Sequence, residues 1–200
     1  MLAACLQVAL LPWHFSGLEM RVRKGQVGVD MTRPLGLVPQ VLAQNVGTFL
    51  AQLPIAVAGL AWAVLTGTLS LPPSIPTVSQ WLLATLLGVV IVLLMNLLMS
   101  LTCFWSLETG GYNMLYRLGS ALLSGALVPL WFMPGWFAAV LDWLPFRAQM
   151  FTPLSIYFGK LDGTAAWLAI AGQVAWIAVL AGLIHVVWWR AERRVVVFGG

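Results

Sequence analysis

Residues Gly125 to Gly159 read GALVPLWFMPGWFAAVLDWLPFRAQMFTPLSIYFG, and this stretch decides how the chain is to be understood. It is mostly apolar, yet Pro129, Pro134, Gly135, Pro145 and Pro153 interrupt it. Its only charges are Asp142 and Arg147. Each proline removes a backbone donor and crowds the preceding turn, so no straight helix is expected through the whole stretch. It is also too apolar for an ordinary surface loop. A segment that enters apolar surroundings, breaks and comes back out satisfies both facts. Asp142 could pair with Arg147 or stand exposed at the outer boundary.

The rest of the chain supplies the frame. Of 200 residues, 61% are hydrophobic and 8% charged. A soluble domain carries roughly 25% charged residues. Mean hydropathy is +0.94. That much apolar surface does not fit inside one core of this size, so part of the solvent is lipid. The 11 Trp residues suit a protein with aromatic side chains at the water–lipid boundary. The formal charge of +4 is not spread as a basic patch among exposed aromatics, which argues against a nucleic-acid partner.

Residues 80–105 are the cleanest span, with Asn96 its one strongly polar interior residue. Residues 37–66 predict a long helix. Within it Gln40, Gln44, Thr48 and Gln52 recur every fourth residue and so share one side. That stripe reads either as interhelical hydrogen bonding or as a wall of a polar pathway. Ala43, Gly47 and Ala51 line an adjacent face suited to close helix contact. Residues 118–133 and 164–189 are further expected spans, and 1–17 a partial one, since a full crossing takes about 20 residues. Residues 67–79 form a proline-rich loop, 106–117 a polar turn and 190–200 a tail.

Residues 18–36 hold six charges: Glu19, Arg21, Arg23, Lys24, Asp30 and Arg33. Lys and Arg concentrate in cytoplasmic loops. Placing 18–36 inside puts Arg21, Arg23, Lys24, Arg33, Arg117, Arg190, Arg193 and Arg194 inside as well. Only Arg147 and Lys160 remain outside. The same count tests the proline-rich stretch. Had 134–163 made a full crossing, the basic tail would lie outside, so an external re-entrant hairpin is expected. Its candidate helix, Trp136 to Leu144, is far too short to cross.

The chemistry is sparse. Gly159-Lys160 lacks the upstream glycine and the following Ser or Thr of a phosphate-binding loop. His14 and His185 have no second ligand at helical spacing. His185 reads as a packed or interfacial histidine, or as a proton relay. Ser120 and Ser124 have no nearby base, which favours helix contact. Cys5 and Cys103 imply neither a disulfide framework nor a metal site. No cofactor is expected.

Three sets of residues in order resemble the permease subunit of bacterial type-2 ABC exporters. The first is Lys24-Gly25, Asp30 and Arg33-Pro34-Leu35. The second is Gly125, Pro129-Leu130, Pro134, Leu144-Pro145-Phe146, Pro153 and Gly159. The third is the basic tail with Arg193, Arg194, Gly199 and Gly200. The resemblance implies an all-α, polytopic helix bundle in the bacterial inner membrane, with the C-terminus cytoplasmic. Six helices per subunit are implied, whereas residues 1–200 offer four expected spans and the partial 1–17 segment, as expected of a fragment, a misassigned start or a shortened relative. It further implies that Arg21, Arg23, Lys24, Asp30 and Arg33 couple to a separate ABC ATPase subunit. A second permease subunit, identical or different, would complete the path. Pro129, Pro134, Gly135, Pro145, Phe146 and Pro153 would form a re-entrant gate before the last helix. The alternative is a membrane scaffold or assembly partner that does not itself transport.

Overall fold

The computed structural model describes residues 18–24, 26–31, 34–67, 74–106, 110–126 and 132–198. Its described elements are helical. The charged segment forms two short helices, α1 (Leu18–Arg23) and α2 (Val27–Met31). Three long helices follow the apolar runs: α3 (Leu37–Leu65), α4 (Ile75–Leu101) and α8 (Gly163–Phe198). Between α4 and α8 lie α5 (Gly110–Leu123), α6 (Gly135–Asp142) and α7 (Pro145–Tyr157).

Local chemistry sets the helix ends. Ser74 caps α4: its hydroxyl accepts from the Thr77 N–H at 3.3 Å, and Pro76 sits in the first turn. A short 3₁₀ turn, Thr102–Phe104, extends its far end. Pro145 opens α7 and forces Leu144 into extended backbone, which stops α6 at Asp142. Gly159, at φ +66°, closes α7 in the left-handed region, with Lys160 N–H bonded back to the Ser155 carbonyl at 2.8 Å.

Three helices among the described residues are long and apolar enough to cross a membrane: Leu37–Leu65, Ile75–Phe104 and Gly163–Arg193. Ile75–Phe104 is the axis of the bundle. Its apolar window is 56% buried by the rest of the chain, against 11% for Leu37–Leu65 and 22% for Gly163–Arg193. The two outer helices therefore turn most of their apolar surface away from the chain.

Two boundaries differ from the sequence reading. The helix expected from residue 118 onward is interrupted among the described residues. The helix there begins at Gly110, within the expected polar turn, and ends at Leu123 in a turn over Ser124 and Gly125. Fourteen residues rise about 21 Å, short of the roughly 30 Å hydrocarbon core. Second, Pro153 does not break its helix; α7 runs through it. The reason lies in what Pro153 takes away. It lacks the N–H that would bond the Gln149 carbonyl. That carbonyl faces α4 at Gly88, where a Cβ would stand 2.5 Å from it. The missing side chain lets the backbones of the two helices approach closely.

Candidate functional site

Two regions carry the polar chemistry. The first is the platform at one end of the bundle. Leu18 and Val27 are buried and pack with Leu37 and Val41 of α3, Leu97 and Leu101 of α4, and Ile184 of α8. The platform is stapled by polar contacts. Arg21 of α1 pairs with the buried Asp30 of α2 at 3.3 Å. The Gln40 amide of α3 donates to the backbone carbonyls of Asp30, at 2.9 Å, and Leu35, at 2.6 Å. Arg21 and Asp30 thus hold the platform together instead of facing outward. Its outward surface carries Lys24 together with exposed Met20, Val29 and Leu35. Those apolar residues were not singled out from the sequence. Their placement on the outer side of amphipathic turns is the signal that could have found them. Arg33 lies outside the described residues, and Arg23 is described only in its backbone.

The expected polar stripe on α3 divides. Gln40 belongs to the platform. The Thr48 hydroxyl donates to the Gln44 carbonyl of its own helix at 3.0 Å, and Gln44 is exposed. Gln52 is half-buried. Ala43, Gly47 and Ala51 point outward as well.

The second region is built around α7, whose residues Pro145 and Ala148–Tyr157 are buried except for half-buried Phe151. Its C-terminal end meets the beginning of α4 and α8: Ile156 packs with Ala84, Ala166 and Ile170, and Tyr157 stacks edge-on with Trp81. Its N-terminal end meets their midpoints. Phe146 and Ala148 pack with Ile91, Met95, Trp176 and Leu180. The elbow at Trp143 and Leu144 therefore lies level with the middle of both long helices. Pro134 and Gly135 open α6 and are exposed, and Pro153 is buried. Pro129 lies outside the described residues.

Two buried glutamines tie this region together. Gln149 of α7 accepts from the Ser120 hydroxyl of α5 at 3.1 Å, and its amide lies 2.8 Å from Met95 Sδ on α4. Gln173 of α8 donates to the carbonyls of Ala84 on α4, at 2.9 Å, and Ala148 on α7, at 2.8 Å. At the elbow Asp142 and Arg147 form an ion pair, and the Arg147 guanidinium lies over the Phe151 ring. In lipid the helices have little hydrophobic drive to associate, so such hydrogen bonds matter, at about 0.6 kcal/mol and up to ~1.7 kcal/mol each. Neither glutamine was singled out from the sequence, although an amide inside an otherwise apolar span is itself a signal.

Among the described residues, three candidate spans and a broken, polar-bridged insertion before the last helix limit the choice of family. A family model described as "ABC-2 family transporter protein" matches residues 8–199. The chain belongs to that family. It is a membrane permease component of an ABC transporter, with transmembrane helices. No curated protein matches this ABC-2 permease chain, and no solved structure does.

Proposed function

We propose that this ABC-2 permease forms half of an export path and is driven by a separate ATPase docked on the α1–α2 platform. The observation that carries the reading is the platform itself. Its charged pair joins α1 to α2, Gln40 ties it to α3, and apolar packing seats it on all three long helices, while Lys24, Met20, Val29 and Leu35 face outward. A rigid, half-apolar and basic surface suits a soluble partner, and a push there reaches α3, α4 and α8 together. Two such permease subunits would move against each other as in other rigid-body switches. The outward Gln44 supports a partner or a wet path beside α3, because an amide is disfavoured facing lipid.

The test is co-purification with a candidate ABC ATPase co-expressed with this chain. The triple variant Arg23→Ala, Lys24→Ala, Arg33→Ala should reduce ATPase recovery about tenfold, roughly the effect of losing 1.4 kcal/mol of interface energy. Met20→Glu with Val29→Glu should do the same. Unchanged recovery with both variants removes the coupling assignment.

The platform side is proposed to be cytoplasmic, and α6–α7 to be a re-entrant gate that dips from the outer face. Support comes from the two short helices meeting at mid-depth, and from α7 leaving beside the start of α8. In a background with Cys5 and Cys103 replaced by Ala, Lys160→Cys and Phe132→Cys should both react with an impermeant thiol reagent added outside. Reaction of Lys160→Cys only from inside overturns the orientation. Reaction of Lys160→Cys outside with a silent Phe132→Cys overturns the hairpin, since it makes α5 to α7 one broken crossing.

A further inference from the structure

The last turns of α8 present a basic and aromatic patch. His185, Trp189 and Arg193 are spaced four residues apart and are all exposed, so they form one stripe along the helix. Arg190 is exposed beside them, three residues before Arg193. The Arg193 guanidinium carbon lies 3.7 Å from the centre of the Trp189 ring. That stacking uses the flat face of the guanidinium and leaves its N–H edge free. Neither Arg190 nor Arg193 has a carboxylate partner among the described residues. Glu192, the acid of these turns, projects about 100° round the helix from Arg193. The opposite face is fixed in place: Ile184 and Trp188 pack into the platform core, and Trp188 meets the Phe104 ring edge-on at 6.1 Å.

Depth follows from length. The span Gly163–Arg193 rises about 46 Å, close to the roughly 40–45 Å of a bilayer with both head-group layers. With Gly163 at one surface, Arg190 and Arg193 stand at the head-group level of the other. His185 lies about 7.5 Å deeper than Arg190, the thickness of one interfacial layer.

We propose that this end of α8 binds the head group of an anionic phospholipid. The phosphate accepts from the free edge of Arg193 and from Arg190 in charge-assisted hydrogen bonds. Arg193 is already held on Trp189, so little side-chain freedom is lost on binding. A zwitterionic head group brings a cation of its own against two arginines and fits less well. His185 is level with the ester carbonyls, to which a ring N–H donates. The acyl chains continue inward along the same face, where Val179, Leu183 and Val186 are exposed and a Cβ at Gly182 would meet nothing within 4 Å. Head group and chains each lie at the depth that their polarity requires.

The site is independent of which face of the membrane the platform occupies. The test uses the full chain purified in detergent without any ATPase, so it reads separately from the coupling proposal. The chain is incubated with equal amounts of palmitoyl-oleoyl phosphatidylglycerol, phosphatidylethanolamine and phosphatidylcholine, and retained lipid is measured by native mass spectrometry. Phosphatidylglycerol should be retained about tenfold over each of the others, the scale set by two basic side chains at an anionic surface. Arg190→Gln with Arg193→Gln should abolish the preference. Trp189→Ala changes no charge and should lower the preference about threefold by freeing Arg193. Lys160→Ala removes one exposed charge at the other end of the bundle and should leave the preference intact. These side chains are exposed, so unfolding midpoints measured alongside should stay near that of the parent. Equal retention of the three lipids, a preference for a zwitterionic one, or a preference that survives the double variant overturns the proposal. An unchanged preference in Trp189→Ala, or a lost one in Lys160→Ala, reduces the effect to diffuse charge and also overturns it. So does a Trp189→Ala chain that changes its oligomeric state in place of its lipid, since a second copy is then the occupant.

Discussion

Gly88→Ala should destabilise this permease severely for the addition of a single methyl group. The added Cβ would lie 2.5 Å from the Gln149 carbonyl oxygen and 3.3 Å from its carbon. Both are backbone atoms of a buried helix, so no flexible side chain gives way. α7 has to move off α4. Overpacking of this kind destabilises by about 1–3 kcal/mol and sometimes more. Here the displacement also pulls Ala148 from Gln173 and Gln149 from Ser120 and Met95. The expected loss is therefore at the upper end, roughly 3 kcal/mol. Gly47→Ala is the control. Gly47 is exposed on α3 with nothing within 4 Å of the added carbon, and alanine is the better helix former. Thermal unfolding in detergent should show a large drop for Gly88→Ala and an unchanged or raised midpoint for Gly47→Ala. Equal midpoints would mean that α7 does not ride on the α4 backbone.

The elbow ion pair should behave as a matched unit. Asp142→Leu leaves the Arg147 guanidinium without its carboxylate, level with the middle of the long helices. Breaking a pair in such surroundings is unfavourable by roughly 3–5 kcal/mol when the pair is fully buried. The two side chains are only partly buried, so about 2 kcal/mol is expected. Arg147→Leu should lose a similar amount, because Asp142 is then unpaired and the contact over Phe151 is gone. The double variant should lie closer to the parent than either single one. Unfolding midpoints of the four proteins form a double-mutant cycle that measures the coupling. Additive losses would place the two charges in bulk water, against the mid-depth elbow.

The long helices were legible because length and hydropathy alone specify them. Residues 80–105 needed no other information, and α4 occupies nearly that range. The Asp142–Arg147 pair was anticipated as one of two readings, since only four residues separate two opposite charges in an apolar stretch. Pro153 was misleading for a physical reason. Proline breaks a helix when its freed carbonyl has nowhere to go, and the sequence around Pro153 says nothing of Gly88, 65 positions earlier. The platform showed the reverse case. Its charges marked it as special, but charge alone does not separate Arg21 and Asp30, which face each other, from Lys24, which faces out. Gln149 and Gln173 were missed because each is one polar residue in an apolar run, and only the packing of α4, α5, α7 and α8 gives them partners.

The bridge from Gln173 also constrains how the protein is made. Helix α7 emerges from the ribosome carrying Arg147, Gln149, Thr152 and Ser155, and at 13 residues it is too short to hold itself across a bilayer. Its carbonyl at Ala148 meets the Gln173 amide only after α8 has been synthesised. Until then the segment must wait at the insertion machinery or at the membrane surface. The last helix is thus the clasp of the assembly, and a nascent chain released before Gln173 would leave the proline-rich insertion unseated.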